Sequence, residues 1–199
     1  AITPFHDDGS VDENGFAEVL EFLIDTGVHG IVVAGTTGEY YAQTMAERTG
    51  LMQTAHQVIN GRVPLMIGVG AIRTEDAIEL AQTAKQVGAD ALLVNSPPYV
   101  LPTESENAAH ALAIDKAADL PIMLYNYPGR TGSNMGEDYL RQVSASKNFC
   151  AIKESSGDIN RLHLLANDYP NIQLSCGADD QALEFFVWGA SSWVCAGGN

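Results

Sequence analysis

The stretch PLMIGVGAIRTEDAIELAQTAKQVGADALLV, residues 64–94, decides the fold. It opens on the apolar run 64–69 and closes on 91–94, and neither run alternates apolar with polar residues. Strands of that kind are buried on both faces, the habit of a parallel sheet covered by helices. Between the runs, Ala77, Leu80, Ala81 and Ala84 recur at the spacing that lays one apolar stripe along a helix. Gly88 stands where a glycine ends such a helix, since glycine takes positive φ without steric cost. The stretch therefore reads as one strand–helix–strand unit.

Working outward, similar apolar runs fall at 30–34, 122–125, 149–152, 172–174 and 192–196. Ahead of them, Phe16, Val19, Leu20, Leu23 and Ile24 repeat the helical spacing. Thr44 with Glu47, and Thr103 with Glu106, each fit the capping box, in which a hydroxyl and a carboxylate satisfy the free amides of a helix start. With Ile31, Leu65, Leu92, Ile122, Ala151, Ile172 and Trp193 as strand markers, successive intervals are 21 to 34 residues, one βα unit each. The stub Ala1-Ile2-Thr3 ahead of the first helix brings the count to eight, which predicts an α/β (β/α)8 barrel. An open doubly wound sheet is the alternative. The expectation is a single barrel domain over 1–199, and because the chain stops just after the eighth run, a C-terminally incomplete one lacking its last helix.

Composition narrows the function. With 46% hydrophobic and 18% charged residues the chain is of ordinary globular type, and a net charge of −15 excludes nucleic acid and anionic membrane surfaces as partners. No apolar stretch approaches the roughly 20 residues of a membrane span, although the start at Ala1 leaves a removed leader open. The 3 cysteines show no disulfide spacing, which points to a reducing, cytoplasmic setting. The 5 histidines show no ligand spacing, so no metal site is expected.

In a barrel of this kind the active site lies at the C-terminal ends of the strands, so polar residues that close an apolar run are candidates. Thr36 and Thr37 follow the second run, Tyr125 the fifth and Lys153 the sixth. Of the lysines, Lys85, Lys116 and Lys147 fall on polar ground, and only Lys153 follows directly on a strand. Burial there would lower its pKa and free a nucleophilic amine, the group that converts a ketone into an imine. The alternative is a structural lysine paired with a carboxylate such as Glu154. The loop Gly35-Thr36-Thr37-Gly38-Glu39 can aim backbone amides at an anion, or be a plain tight turn. In the segment 125–132, YNYPGRTG, Tyr125 can carry protons and Arg130 can grip a carboxylate, though either can equally be structural.

Taken together, Thr3-Pro4-Phe5, the GTTGE loop at 35–39, Pro97-Pro98-Tyr99, YNYPGRTG, Ile152-Lys153-Glu154 and Gly177-Ala178-Asp179-Asp180 resemble the dihydrodipicolinate synthase and N-acetylneuraminate lyase family, in order and across nearly the whole chain. The resemblance implies a lyase of the imine-forming aldolase type, with a barrel and a helical C-terminal region. It implies pyruvate as substrate, no cofactor or metal, and a homo-oligomer, dimer or tetramer. By the same resemblance Lys153 forms the imine, Tyr125 relays protons and Thr36 hydrogen-bonds Tyr125. Thr37 and its loop hold the pyruvate carboxylate, while Gly177 and Val194 line the pocket. Arg130 matches the arginine that, in the synthases, receives the carboxylate of aspartate semialdehyde.

Two departures stand out. Synthases carry two adjacent tyrosines where this chain has Tyr99-Val100, so Tyr99 is the one candidate there for a relay or pocket role. Positions matching the lysine feedback site of some relatives carry Met45 and Ile72, so feedback inhibition is not expected. The resemblance thus implies condensation of pyruvate with aspartate semialdehyde, as in lysine biosynthesis. The alternatives are another keto-acid aldolase or dehydratase of the family, acting on N-acetylneuraminate or a keto-deoxy sugar acid, and a non-catalytic barrel that only binds a keto acid.

Overall fold

The structure, a computed structural model, describes residues 1–199. Its strands are β1 Ile31–Val33, β2 Leu65–Gly68, β3 Ala91–Asn95, β4 Ile122–Asn126, β5 Phe149–Glu154, β6 Gln173–Cys176 and β7 Ser192–Trp193. The helices are α1 Glu13–Asp25, α2 Met45–Ile59, α3 Thr74–Val87, α4 Glu104–Ala118, the single turn α5 Pro128–Thr131, α6 Glu137–Val143, α7 Ile159–Asp168 and α8 Ala182–Val187. Both capping boxes form, Thr44 with Glu47 at the start of α2 and Thr103 with Glu106 at the start of α4. Gly88 ends α3 at φ 95°, where a side chain would be strained.

The strands pair in parallel in strict chain order from β1 to β7. A doubly wound sheet reverses its order at a switch point, and none exists here, so the open-sheet alternative fails and the barrel order stands. Alternate residues face two separate apolar layers, as the pleat of a strand requires. Ile31, Val33, Ile67, Leu92, Val94, Leu124 and Ile152 join the large core shared with Leu20, Leu51, Leu80, Ile114 and Leu162 of the helices. Leu93, Met123, Tyr125 and Ala151 form a small second cluster inside the curl, with Val32, Met66, Tyr127 and Val194 against it. That second cluster is the floor beneath the site.

The expected strand at the N-terminal stub is not a regular one. Ala1 N donates to Val32 O at 2.7 Å, placing the stub beside β1, but Pro4 follows within three residues and has no amide to extend a ladder. The strand-like run at 30–34 is trimmed to β1 because Ala34 turns to φ 56° and sends the chain into the next loop. After β7 the chain makes a 3-10 turn at Ala196–Gly198. No helix is long and apolar enough to cross a membrane.

Candidate active site

Lys153 and Tyr125 are register partners on β5 and β4, with Asn95 on β3 next to Tyr125 and Ser175 on β6 next to Lys153. This row continues the small inner cluster, of which Tyr125 is a member, to the C-terminal rim of the sheet, so its side chains face into the curl. The Lys153 Nζ stands 4.1 Å from the centroid of the Tyr125 ring. Burial pulls its pKa from the ordinary lysine value down to about 8, against the opposing pull of Asp179.

Glu154, the carboxylate that a structural lysine would use, points the other way. As the next residue on the strand it faces the helix layer, where it is 1% exposed and binds Arg161 Nε at 3.2 Å. Asn126 Nδ2 and the amide of Ser156 also donate to it. Strand alternation thus separates a paired buried carboxylate from an amine that forms no ion pair. The ion pair with Glu154 that a structural lysine would make is not formed.

Gly177, just after β6, gives Lys153 its room. A Cβ there would lie 2.8 and 2.9 Å from Lys153 Cγ and Cε and would overlap Ser155 Oγ. Ser155, two residues beyond Lys153 on the same face, is buried, and its hydroxyl has no hydrogen-bond partner. The Tyr125 phenol has its pKa raised, chiefly by burial; the hydroxyls of Thr36 and Ser155 beside it act in the opposite direction. Thr36 and Tyr125 share the wall of one cavity.

The loop after β1 is held from behind. Thr3 Oγ1 and Gln43 Nε2 both donate to Gly38 O, at 2.8 and 2.6 Å. In front of it, Thr36, Thr37 and Gly38 line a cavity of about 50 Å³ together with Lys153, Leu93 and Val194. A second cavity, of about 230 Å³, lies alongside and shares Thr36; its walls include Tyr40, Asn95, Tyr125, Tyr127 and Arg130. Arg130 is exposed, forms no ion pair and stands 6.0 Å over the Tyr127 ring, so its guanidinium is free for an anion. One cavity therefore offers an amine and two threonines, and its neighbour a phenol and an uncommitted cation. No group of three or more His, Cys, Asp or Glu side chains is placed to hold a metal ion.

Among known proteins, the model of the Dihydrodipicolinate synthetase family matches residues 1–199. The chain belongs to this family. A curated 4-hydroxy-tetrahydrodipicolinate synthase of Stenotrophomonas maltophilia is 38% identical over 198 residues, 99% of this chain and 67% of that protein. The dihydrodipicolinate synthase of Acinetobacter baumannii, solved with pyruvate, superposes with TM-score 0.92 at 36% identity, covering 98% of this chain and 67% of that one. YagE, a prophage protein of the family from E. coli K12 also solved with pyruvate, gives TM-score 0.93 at 30% identity over 100% of this chain and 68% of its own. The chain spans about two thirds of the length of these family members.

Of the residues singled out in the sequence, Lys153, Tyr125, Thr36, Thr37, Val194, Gly177 and Arg130 come together around the two cavities. Tyr99 does not. It is 89% exposed at φ 75° on the loop after β3, and only Pro98 of that loop reaches the larger cavity. Sequence reasoning missed Asn95, Tyr40 and Ser155. Asn95 closes the apolar run 91–94 and so meets the same rule that marked Tyr125; Ser155 follows Lys153 at the strand period of two. Tyr40 carried no such signal, because its place depends on how the loop after β1 turns.

Proposed function

We propose that the protein condenses pyruvate with aspartate semialdehyde through an imine on Lys153, as the names of its synthase relatives suggest. The observation that carries this reading is the unpaired Lys153 amine inside the curl, with its pKa near 8 and Tyr125 against it. At pH 7 about one lysine in ten is then neutral, against about one in three thousand at the ordinary pKa. The neutral amine adds to the keto carbon of pyruvate, and loss of water leaves an iminium. Removal of a methyl proton gives the enamine, whose carbon attacks the aldehyde.

Thr37 and the amides of its loop fit the pyruvate carboxylate. The Tyr125 phenol, bordered by Thr36 and Ser155, is the group placed to hand protons to and from the reacting carbonyl. Arg130 in the adjoining cavity suits the semialdehyde carboxylate. The exposed segment Tyr99-Val100-Leu101 offers apolar surface to a second copy of the chain, in keeping with a homo-oligomer. The three free cysteines suit a reducing cytoplasm.

The test is Arg130→Ala in the intact protein, assayed with pyruvate and a panel of aldehydes. A charge-assisted contact is worth about 1.5 to 3 kcal/mol, so turnover of the semialdehyde should fall roughly ten- to a hundredfold while pyruvate is still trapped by borohydride. A wild type that turns over only uncharged aldehydes, or a variant that handles the semialdehyde normally, refutes the synthase reading. A sugar-acid aldolase is the second reading, favoured by the four tyrosines, Tyr40, Tyr41, Tyr125 and Tyr127, around the larger cavity.

A further inference from the structure

Arg48, on the first turn of α2, is a buried cation without an anion. It is 4% exposed, and no carboxylate lies within ion-pair distance. Its Nη1 donates to Gly70 O at 2.8 Å and its Nη2 to Gly68 O at 2.7 Å, while Nε has no partner. Burying a charge is costly unless it is paired, and a leucine or methionine at this position of an amphipathic helix would avoid that cost. Burial lowers its pKa only to about 10, so the charge persists at neutral pH.

What the guanidinium touches on its remaining side is the ring of Tyr40, whose centroid lies 5.2 Å from Cζ. Tyr40 follows Glu39, itself at φ 55°, in a 3-10 turn, and its partly buried ring packs against the main core. Its hydroxyl accepts from Asn95 Nδ2 at 3.4 Å, a long and weak bond. Both Tyr40 and Asn95 line the larger cavity, together with Arg130 and Tyr125. The same two side chains crowd Gly70: a Cβ there would lie 3.1 Å from Tyr40 Cζ and overlap Asn95 Oδ1. Arg48 thus ties the β1 loop, through Tyr40, to the end of β2, through Gly68 and Gly70, and Tyr40 in turn meets Asn95 at the end of β3.

We propose that Arg48 is a positioning residue for the second substrate, fixing the Tyr40 ring as a wall of the aldehyde-side cavity while taking no part in imine formation at Lys153. The proposal rests on the reading of that cavity as the aldehyde site. Arg48 is absent from the walls of both cavities and reaches the aldehyde only through Tyr40. A cation behind the ring restrains it from the protein side and leaves the opposite face free for substrate.

The test is a double-mutant cycle in the intact protein with Arg48→Met and Tyr40→Leu, using whichever aldehyde the wild type turns over. The choice of aldehyde is settled on the wild type alone, so a failure of the semialdehyde reading is distinguished from a failure of this one. Arg48→Met keeps the volume of the side chain and removes its charge. It should raise KM for the aldehyde by roughly three- to thirtyfold, the span of a desolvated cation–π contact, with the rate of borohydride trapping of pyruvate unchanged. In the Tyr40→Leu background the same substitution should change KM for the aldehyde less than twofold, because contacting residues do not act additively. An unchanged KM for the aldehyde would overturn the proposal. Equal effects in the two backgrounds, or a matching loss of pyruvate trapping, would do the same, since either marks a general distortion of the barrel.

Discussion

Gly177→Ala places one methyl group against the proposed nucleophile. The added Cβ would sit 2.8 and 2.9 Å from Lys153 Cγ and Cε, whereas carbons rest comfortably at about 3.5 to 4.0 Å. Gly177 is not among the glycines at positive φ, so alanine strains no backbone there and the clash falls on side chains. Lys153 must retreat by roughly 0.6 to 1 Å, and it cannot do so toward Ser155, whose hydroxyl the same methyl overlaps. An off-rotamer side chain costs about 0.5 to 1.5 kcal/mol, and a 1 Å misplacement of a reacting group can cost about a hundredfold in rate. The expected outcome is a loss of roughly fifty- to two-hundredfold in the rate of borohydride-dependent attachment of pyruvate, with a melting temperature within a few degrees of wild type. Trapping at the wild-type rate would show that Lys153 does not need the position it holds here, and would refute this account of Gly177.

Tyr125→Phe removes a proton carrier and keeps the ring; turnover should fall by roughly 10² to 10⁴-fold with pyruvate affinity little changed, and near-normal turnover would make Tyr125 structural. His110, buried between α3 and α4 with Nδ1 3.0 Å from Thr74 Oγ1 and Nε2 unpartnered, has its pKa lowered by burial to about 4. The unfolded chain therefore binds the proton first, and its contribution to stability is present above pH 6.5 and lost on acidification toward pH 4. The loss should reach about 3 kcal/mol in denaturant titrations, and His110→Gln should flatten that pH dependence.

The barrel was legible because its strands are buried on both faces and its helices on one, so the apolar period changes from segment to segment along the chain. The capping boxes at Thr44 and Thr103 and the glycine at position 88 fixed helix ends for the same local reason. The stub at Ala1, counted as the first strand, lies beside β1 through Ala1 N and Val32 O but is not among the seven strands of the sheet. Within the site, Lys153 and Tyr125 near the ends of β5 and β4, and Thr36 in the loop after β1, announced themselves by following an apolar run. The pairing of Glu154 with Arg161 did not, because it depends on which face of β5 meets α7. Tyr40 and Arg48 were silent for a similar reason: a buried arginine reads from sequence as a solvated helix face, and only packing shows that it has none of the solvent it would need.

The central claim is that the Lys153 amine forms an imine with pyruvate. Borohydride reduction of the intact protein with labelled pyruvate, followed by peptide mapping, tests it most directly. The label should fall on Lys153 alone, and the initial rate of trapping should rise with pH to a plateau with a midpoint near 8, the value to which burial lowers the amine. Label on Lys85, Lys116 or Lys147, or no label on a protein that turns over pyruvate, would contradict it.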